Sequence, residues 1–115
     1  MKRKNLVALN KELVDQIIKV TSCAAISCHP FVGKNDKIKA DKAATDMMRN
    51  EINKIKINGT VVIGEGELDE APMLYIGGKL GAGGNLDIDI AVDPLEGTNF
   101  VAKNLPGALS VISVA

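Results

Sequence analysis

The apolar positions change period once along the chain. From Asn10 to His29, in NKELVDQIIKVTSCAAISCH, Leu13, Ile17, Val20 and Ala24 recur at three- and four-residue steps, the spacing of a helix with one buried face. Val14, Ile18 and Ala25 widen that stripe, and Lys11, Asp15 and Lys19 step along the opposite side. Asn10 is the expected N-cap, and Pro30 with Gly33 the expected stop. A second helix is predicted over residues 37–57, with Ala40, Ala44, Met47, Met48, Ile52 and Ile55 on one side. Asn58-Gly59 would close it as a left-handed C-cap.

Beyond residue 59 the period drops to two. TVVIG (60–64) is a short strand rich in β-branched residues, and MLYIGGKLG (73–81) a second strand. GAGGN (81–85) is a turn that matches neither a dinucleotide fingerprint nor a phosphate-binding P-loop. LDIDIAVD (86–93) alternates strictly, with Ile88, Ile90 and Val92 on one face and Asp87, Asp89, Ala91 and Asp93 on the other. ALSVISVA (108–115) is a further strand. Two helices followed by strands with acidic loops at their ends predict an α+β or layered α/β/α arrangement, with helices covering a mixed sheet. The sequence stops inside a strand, so residues 1–115 are expected to be the N-terminal portion of a longer protein.

Composition narrows the functions open to such a fold. Hydrophobic residues make up 46% of the 115, enough for a core. The aromatic set is Phe31, Tyr75 and Phe100, too few for stacking on bases or sugars. Net charge is zero, yet residues 1–56 carry +6 and residues 57–115 carry −6. The acidic half holds the loops of interest, which argues against a nucleic-acid partner. Its carboxylates need solvent, the basic half or bound cations as partners. No apolar run is long enough to cross a membrane, and Leu6–Leu9 is too short for a signal peptide. A cytoplasmic location is expected. Cys23 and Cys28 lie five residues apart, about 140° around a helix, so they are expected to be structural thiols.

The chemistry concentrates in three places: Asp41 near the start of the second helix, Glu65, Glu67, Asp69 and Glu70 in GEGELDE, and Asp93 with Glu96 in DPLEGT. In the last, a strand delivers Asp93 to its end. Pro94 is expected to turn the chain, so that Glu96 swings back toward Asp93. Gly97 allows close approach to its backbone, and Thr98 adds a hydroxyl. Hard oxygen ligands of this kind select Mg²⁺ or Mn²⁺ rather than zinc. A solvated loop with Gly97 as a turn residue fits the bare motif equally well. GEGELDE shifts the balance, because four acids in six residues repel one another unless a cation lies among them. No EF-hand loop is present.

ADKAATDMMR, INGTVVIGEGELDEAPMLYIG and DIAVDPLEGT together resemble the class II fructose-1,6-bisphosphatases, the GlpX-type sugar phosphatases of the inositol-monophosphatase-like, metal-dependent superfamily. The resemblance runs from about residue 12 to 115. It implies that Asp41 and Glu65 ligate one divalent ion, that Asp93 and Glu96 ligate another, and that Glu65 lies near both. It further implies that Glu96, Gly97 and Thr98 hold the scissile phosphate, and that Asp69 with Thr98 orients or deprotonates the attacking water. Lys37 would be a basic neighbour of the metal loop. Ile38-Lys39, Gly84 and Asn99 depart from the family pattern without removing a ligand.

The implied reaction is hydrolysis of the 1-phosphate of D-fructose 1,6-bisphosphate, a step of gluconeogenesis, by a homo-oligomer using Mn²⁺ or Mg²⁺. Alternatives are a related phosphatase acting on sedoheptulose bisphosphate, an inositol phosphate or a nucleotide phosphate, and a non-enzymatic divalent-ion-binding module. The 115-residue piece alone is expected to turn over little or no substrate. Asp87 and Asp89 are expected to be solvated.

Overall fold

The computed structural model describes residues 10–65 and 74–115. Helix α1 spans Lys11–Cys28. Asn10 caps it, its side-chain oxygen accepting from the Leu13 N–H at 2.9 Å, one of the donors that a helix start leaves without an internal partner. The chain does not stop at Pro30. A 3-10 turn, His29–Phe31, takes Pro30 at its start, where a missing N–H costs nothing. Leu13, Val20, Ala24 and Cys28 are buried. Val14, Ile18 and Ala25, expected to widen the apolar stripe, are instead exposed. The sheet lies under a narrower arc of the helix than the sequence pattern offers.

Helix α2 spans Lys37–Ile52, capped by the Asp36 carboxylate accepting from Lys39 N–H at 3.1 Å. It ends five residues before the expected stop. Asn58 and Gly59 do not cap it; they open strand β1, Asn58–Ile63. The correction follows from packing. Gly59 lies against the Leu80 carbonyl, whose oxygen would stand 2.9 Å from a Cβ at that position, and under Ile90 Cδ1, which would stand 2.6 Å from it. This glycine is therefore kept for a close approach within the sheet rather than for a helix terminus. Ala24, Ala40 and Ala44 are fully buried, and such small residues let α1 and α2 approach closely.

The predicted strand over 73–81 shrinks to β2, Lys79–Leu80, after a turn at Ile76-Gly77; Met73 lies outside the described residues. Strand β3 spans Asp87–Glu96 and β4 Leu109–Val114. A five-residue helix, α3, Thr98–Ala102, joins them. The sheet order is β2-β1-β3-β4. β1 and β3 are parallel, and the other pairs antiparallel. The expected α+β architecture holds, with two helices followed by a mixed sheet.

Leu13, Val20, Ala44, Met48, Ile52, Val61, Ile88, Ile90 and Val92 form one core cluster. Both long helices therefore lie against a single face of the sheet. The alternation expected for β3 is observed: Ile88, Ile90 and Val92 are buried, while Asp87 and Asp89 are exposed. β3 nevertheless runs through Pro94. The register to β4 shifts between Asp93 and Glu96, and at such a bulge a residue without an N–H is tolerated.

A further tie holds the fold near the carboxyl end of β3. The Gly33 N–H donates to Val101 O at 2.9 Å, and the Asn35 N–H donates to Ala102 O at 2.8 Å. The loop entering α2 is thus fastened to α3. Gly33 and Asn35 both take positive φ, 72° and 61°, a region that glycine and asparagine tolerate best.

Candidate metal and phosphate site

Parallel strands deliver their carboxyl ends to the same edge of a sheet, and ligands collect there in open α/β layers. β1 and β3 do this here. Their register carries an irregularity: Val61 pairs with Ile90, but Ile63 pairs with Ala91. One extra residue on β1 changes which face the following side chains take. β1 ends at Ile63, two residues before Glu65, and the shift leads the chain on toward Asp93, whose carboxylate acts on that of Glu65. Asp41 approaches from above, on the second turn of α2, which packs on β3.

Three elements thus bring together Asp41, Glu65 and Asp93. The electrostatics record their proximity. Burial pushes the Glu65 carboxyl up to about 7, with the Asp41 and Asp93 carboxylates and a hydrogen bond to Asp93 adding to the rise. Burial, then the Asp93 charge, also raises Asp41. Asp41 Oδ1 and Glu65 Oε1 are buried without a hydrogen-bond partner. Buried polar atoms without partners are rare and costly. Two such oxygens beside a third carboxylate form an all-oxygen donor set that suits a hard divalent cation. Among the described residues, no group of three His, Cys, Asp or Glu side chains is placed to hold a metal ion as they stand.

Not every expected site residue joins this group. Glu96 is exposed and lies beyond the β3–β4 register shift. The strand continues through Pro94 to Glu96 instead of turning at the proline as expected. Asp69, with Glu67 and Glu70, lies outside the described residues. Lys37 is exposed at the first position of α2, and Asp87 and Asp89 are exposed.

Gly97 and Thr98 take up the turn between β3 and α3. Gly97 is left-handed, φ 81°, and precedes the first helical residue, Thr98. A Cβ on Gly97 would stand 2.8 Å from Phe100 Cδ2. Both conformation and space therefore demand glycine. The first N–H groups of a helix lack partners inside it, so this turn offers donors to an anion.

A hollow of about 320 Å³ lined by Asn10, Gln16, Lys54, Ile57 and Leu86 lies at the opposite ends of the parallel strands and contains none of these carboxylates. Sequence reasoning missed the β1 irregularity and the tie from Gly33 and Asn35 to α3. The only signal for the latter was a glycine and an asparagine two residues apart in a loop.

Comparison with known proteins finds relatives over most of this chain. Residues 11–115 match the model of the family described as bacterial fructose-1,6-bisphosphatase, glpX-encoded. The chain is 48% identical over 106 residues to fructose-1,6-bisphosphatase 1 class 2 of Escherichia coli (strain K12), covering 92% of this chain and 32% of the relative. It is 45% identical over 107 residues to a Prochlorococcus marinus (strain AS9601) protein named D-fructose 1,6-bisphosphatase class 2/sedoheptulose 1,7-bisphosphatase, covering 93% of this chain and 32% of that relative. The chain thus spans about a third of the length of these relatives. An extragenic suppressor from Pyrococcus furiosus superposes with a TM-score of 0.58 at 20% identity, over 91% of this chain and 40% of that one, a likeness of fold alone. On the match over residues 11–115, the chain belongs to the glpX-encoded bacterial fructose-1,6-bisphosphatase family.

Proposed function

We propose that this chain supplies the metal- and phosphate-binding portion of a phosphatase that removes the 1-phosphate of D-fructose 1,6-bisphosphate, leaving fructose 6-phosphate and phosphate, as in gluconeogenesis. The observation that carries the reading is the pair of buried, unpartnered oxygens on Asp41 and Glu65 beside Asp93. Asp41 and Glu65 are proposed to hold one divalent ion, Mn²⁺ or Mg²⁺, and Asp93 with Glu96 a second. Such ions, when bound, neutralise phosphate oxygens and lower the pKa of a bound water.

The chain's own residues supply the rest. The Gly97 and Thr98 N–H groups hold the phosphate and stabilise charge on its oxygens. The Thr98 hydroxyl orients the attacking water, and Asp69 accepts its proton. Glu96 is proposed to meet the phosphate through its backbone N–H, leaving its carboxylate for the second ion. The protein acts in the cytoplasm as a homo-oligomer, with a small sugar bisphosphate as its partner rather than nucleic acid or membrane. Among the described residues, no helix is long and apolar enough to cross a membrane.

The name of the Prochlorococcus marinus relative favours a second substrate, sedoheptulose 1,7-bisphosphate. Mn²⁺-dependent phosphate release from both sugars by the chain at its full encoded length tests the reading. Glu96→Gln and Thr98→Ala are expected to lower kcat at least ~100-fold. Full rate in either variant would remove that residue's role, and no release from either sugar would remove the function. The 115-residue chain alone is expected to give little or no turnover.

A further inference from the structure

The segment that brings Glu65 to Asp93 is held by a contact that allows no side chain before it. Three backbone hydrogen bonds fasten residues 74–78 beside β1. The Val61 N–H donates to Gly78 O at 2.9 Å, the Gly77 N–H to Val61 O at 2.7 Å, and the Glu65 N–H to Leu74 O at 2.8 Å. The last is the one nearest the carboxylates. Leu74 is 2% exposed and belongs to the core cluster, so its carbonyl has a fixed position. Gly64 lies directly against that carbonyl. A Cβ on Gly64 would stand 2.1 Å from Leu74 O and 2.7 Å from Val61 Cγ1. The first of these is backbone, which cannot rotate aside as a side chain can. Gly64 does not have positive φ, so its requirement is one of space rather than conformation.

We infer that Gly64 and the Leu74 carbonyl form a buried clasp that positions Glu65 for cation binding, with Gly64 a positioning residue for the site. The inference rests on the proposed metal role of Glu65. The irregularity at Val61/Ile63 turns the backbone, and the clasp then fixes the Glu65 amide nitrogen one residue beyond Gly64. A methyl group at 64 must push Leu74 O away, break the 2.8 Å bond and move the Glu65 carboxylate relative to Asp41 and Asp93. A neighbour that orients a metal ligand typically changes metal affinity about 10–100-fold when removed.

Mn²⁺ binding by this chain, measured by calorimetry, and melting in EDTA separate positioning from bulk stability. Gly64→Ala is expected to weaken Mn²⁺ binding about tenfold or more, as Glu65→Gln does, while keeping a cooperative melt. Gly64→Ala binding Mn²⁺ as the parent does, with Glu65→Gln weakened, would overturn the clasp and leave the proposed function standing. Glu65→Gln binding as the parent does would overturn the proposed metal role and the clasp with it. Should Gly64→Ala fail to fold, hydrogen exchange in the unmodified chain decides. The Glu65 amide is expected to be protected, and exchange at the free-chain rate would overturn the clasp.

Discussion

Glu65 stands beside Asp93 at the carboxyl ends of two parallel strands, half-buried and with Asp41 as a second acidic neighbour. Burial first, and then those two charges, favour the protonated form of Glu65. Without a cation, the folded protein therefore holds a proton more tightly than the unfolded chain does. Glu65 titrates ordinarily near 4.5 and near 7 in the fold. Between those values the folded state binds more protons, so stability falls as pH rises and levels off above about 7. The partial exposure of Glu65 limits the change to about 1–2 kcal/mol. Urea unfolding in EDTA from pH 4.5 to 8 is expected to show this decline, and Glu65→Gln to flatten most of it. An unchanged slope in the variant would show that Glu65 is not the group that takes up the proton.

A different acid acts in the opposite direction. Glu51 has a side chain only 7% exposed and takes ion pairs from Lys54 and, at 3.8 Å, from Lys19; the Cys23 thiol donates to it at 3.6 Å. The Lys54 hydrogen bond is the main reason its carboxyl lies below the ordinary value. Its stabilisation is complete above the unfolded value near 4.5 and is lost as pH falls through the lower folded value. Because the lysine tips reach solvent, Glu51→Gln is expected to cost about 1 kcal/mol or less at pH 7. It should also reduce acid sensitivity below pH 4.5. Acid melts of parent and variant that superimpose would contradict this.

The turn before α3 favours glycine. Gly97→Ala forces a left-handed alanine against Phe100 Cδ2. A loss of about 1–3 kcal/mol is expected from the strain alone, read by thermal or urea unfolding. Phe100→Ala removes the collision but not the positive φ. Added to Gly97→Ala, it is expected to recover only the part of the loss that comes from that contact. Wild-type stability in Gly97→Ala would show that the turn can relax.

Much of the fold could be read from the chain because local patterning and burial agree over long stretches. The α1 stripe and its Asn10 cap, the alternation of β3 and the strand over 108–115 all follow from period and cap chemistry. Where the reading went wrong, tertiary contact overruled a local signal. Asn58-Gly59 carries the signature of a helix terminus, yet the bare Gly59 Cα is needed beneath Ile90. Pro94 signals a break, yet a register shift lets the strand accept it. Asp41, Glu65 and Asp93 were nameable as candidates, and the structure brings them to one place. Their convergence depends on one extra residue in β1 and on the clasp at Gly64. Neither has a periodic signature, since both arise where two segments far apart along the chain meet.

Crystals grown with Mn²⁺ and measured at the manganese absorption edge test the central claim most directly. Anomalous density is expected within reach of carboxylate oxygens of Asp41, Glu65 and Asp93, and is expected to be lost in Glu65→Gln crystals grown identically. Manganese found only elsewhere on the surface, with these three side chains left without a cation, would contradict it.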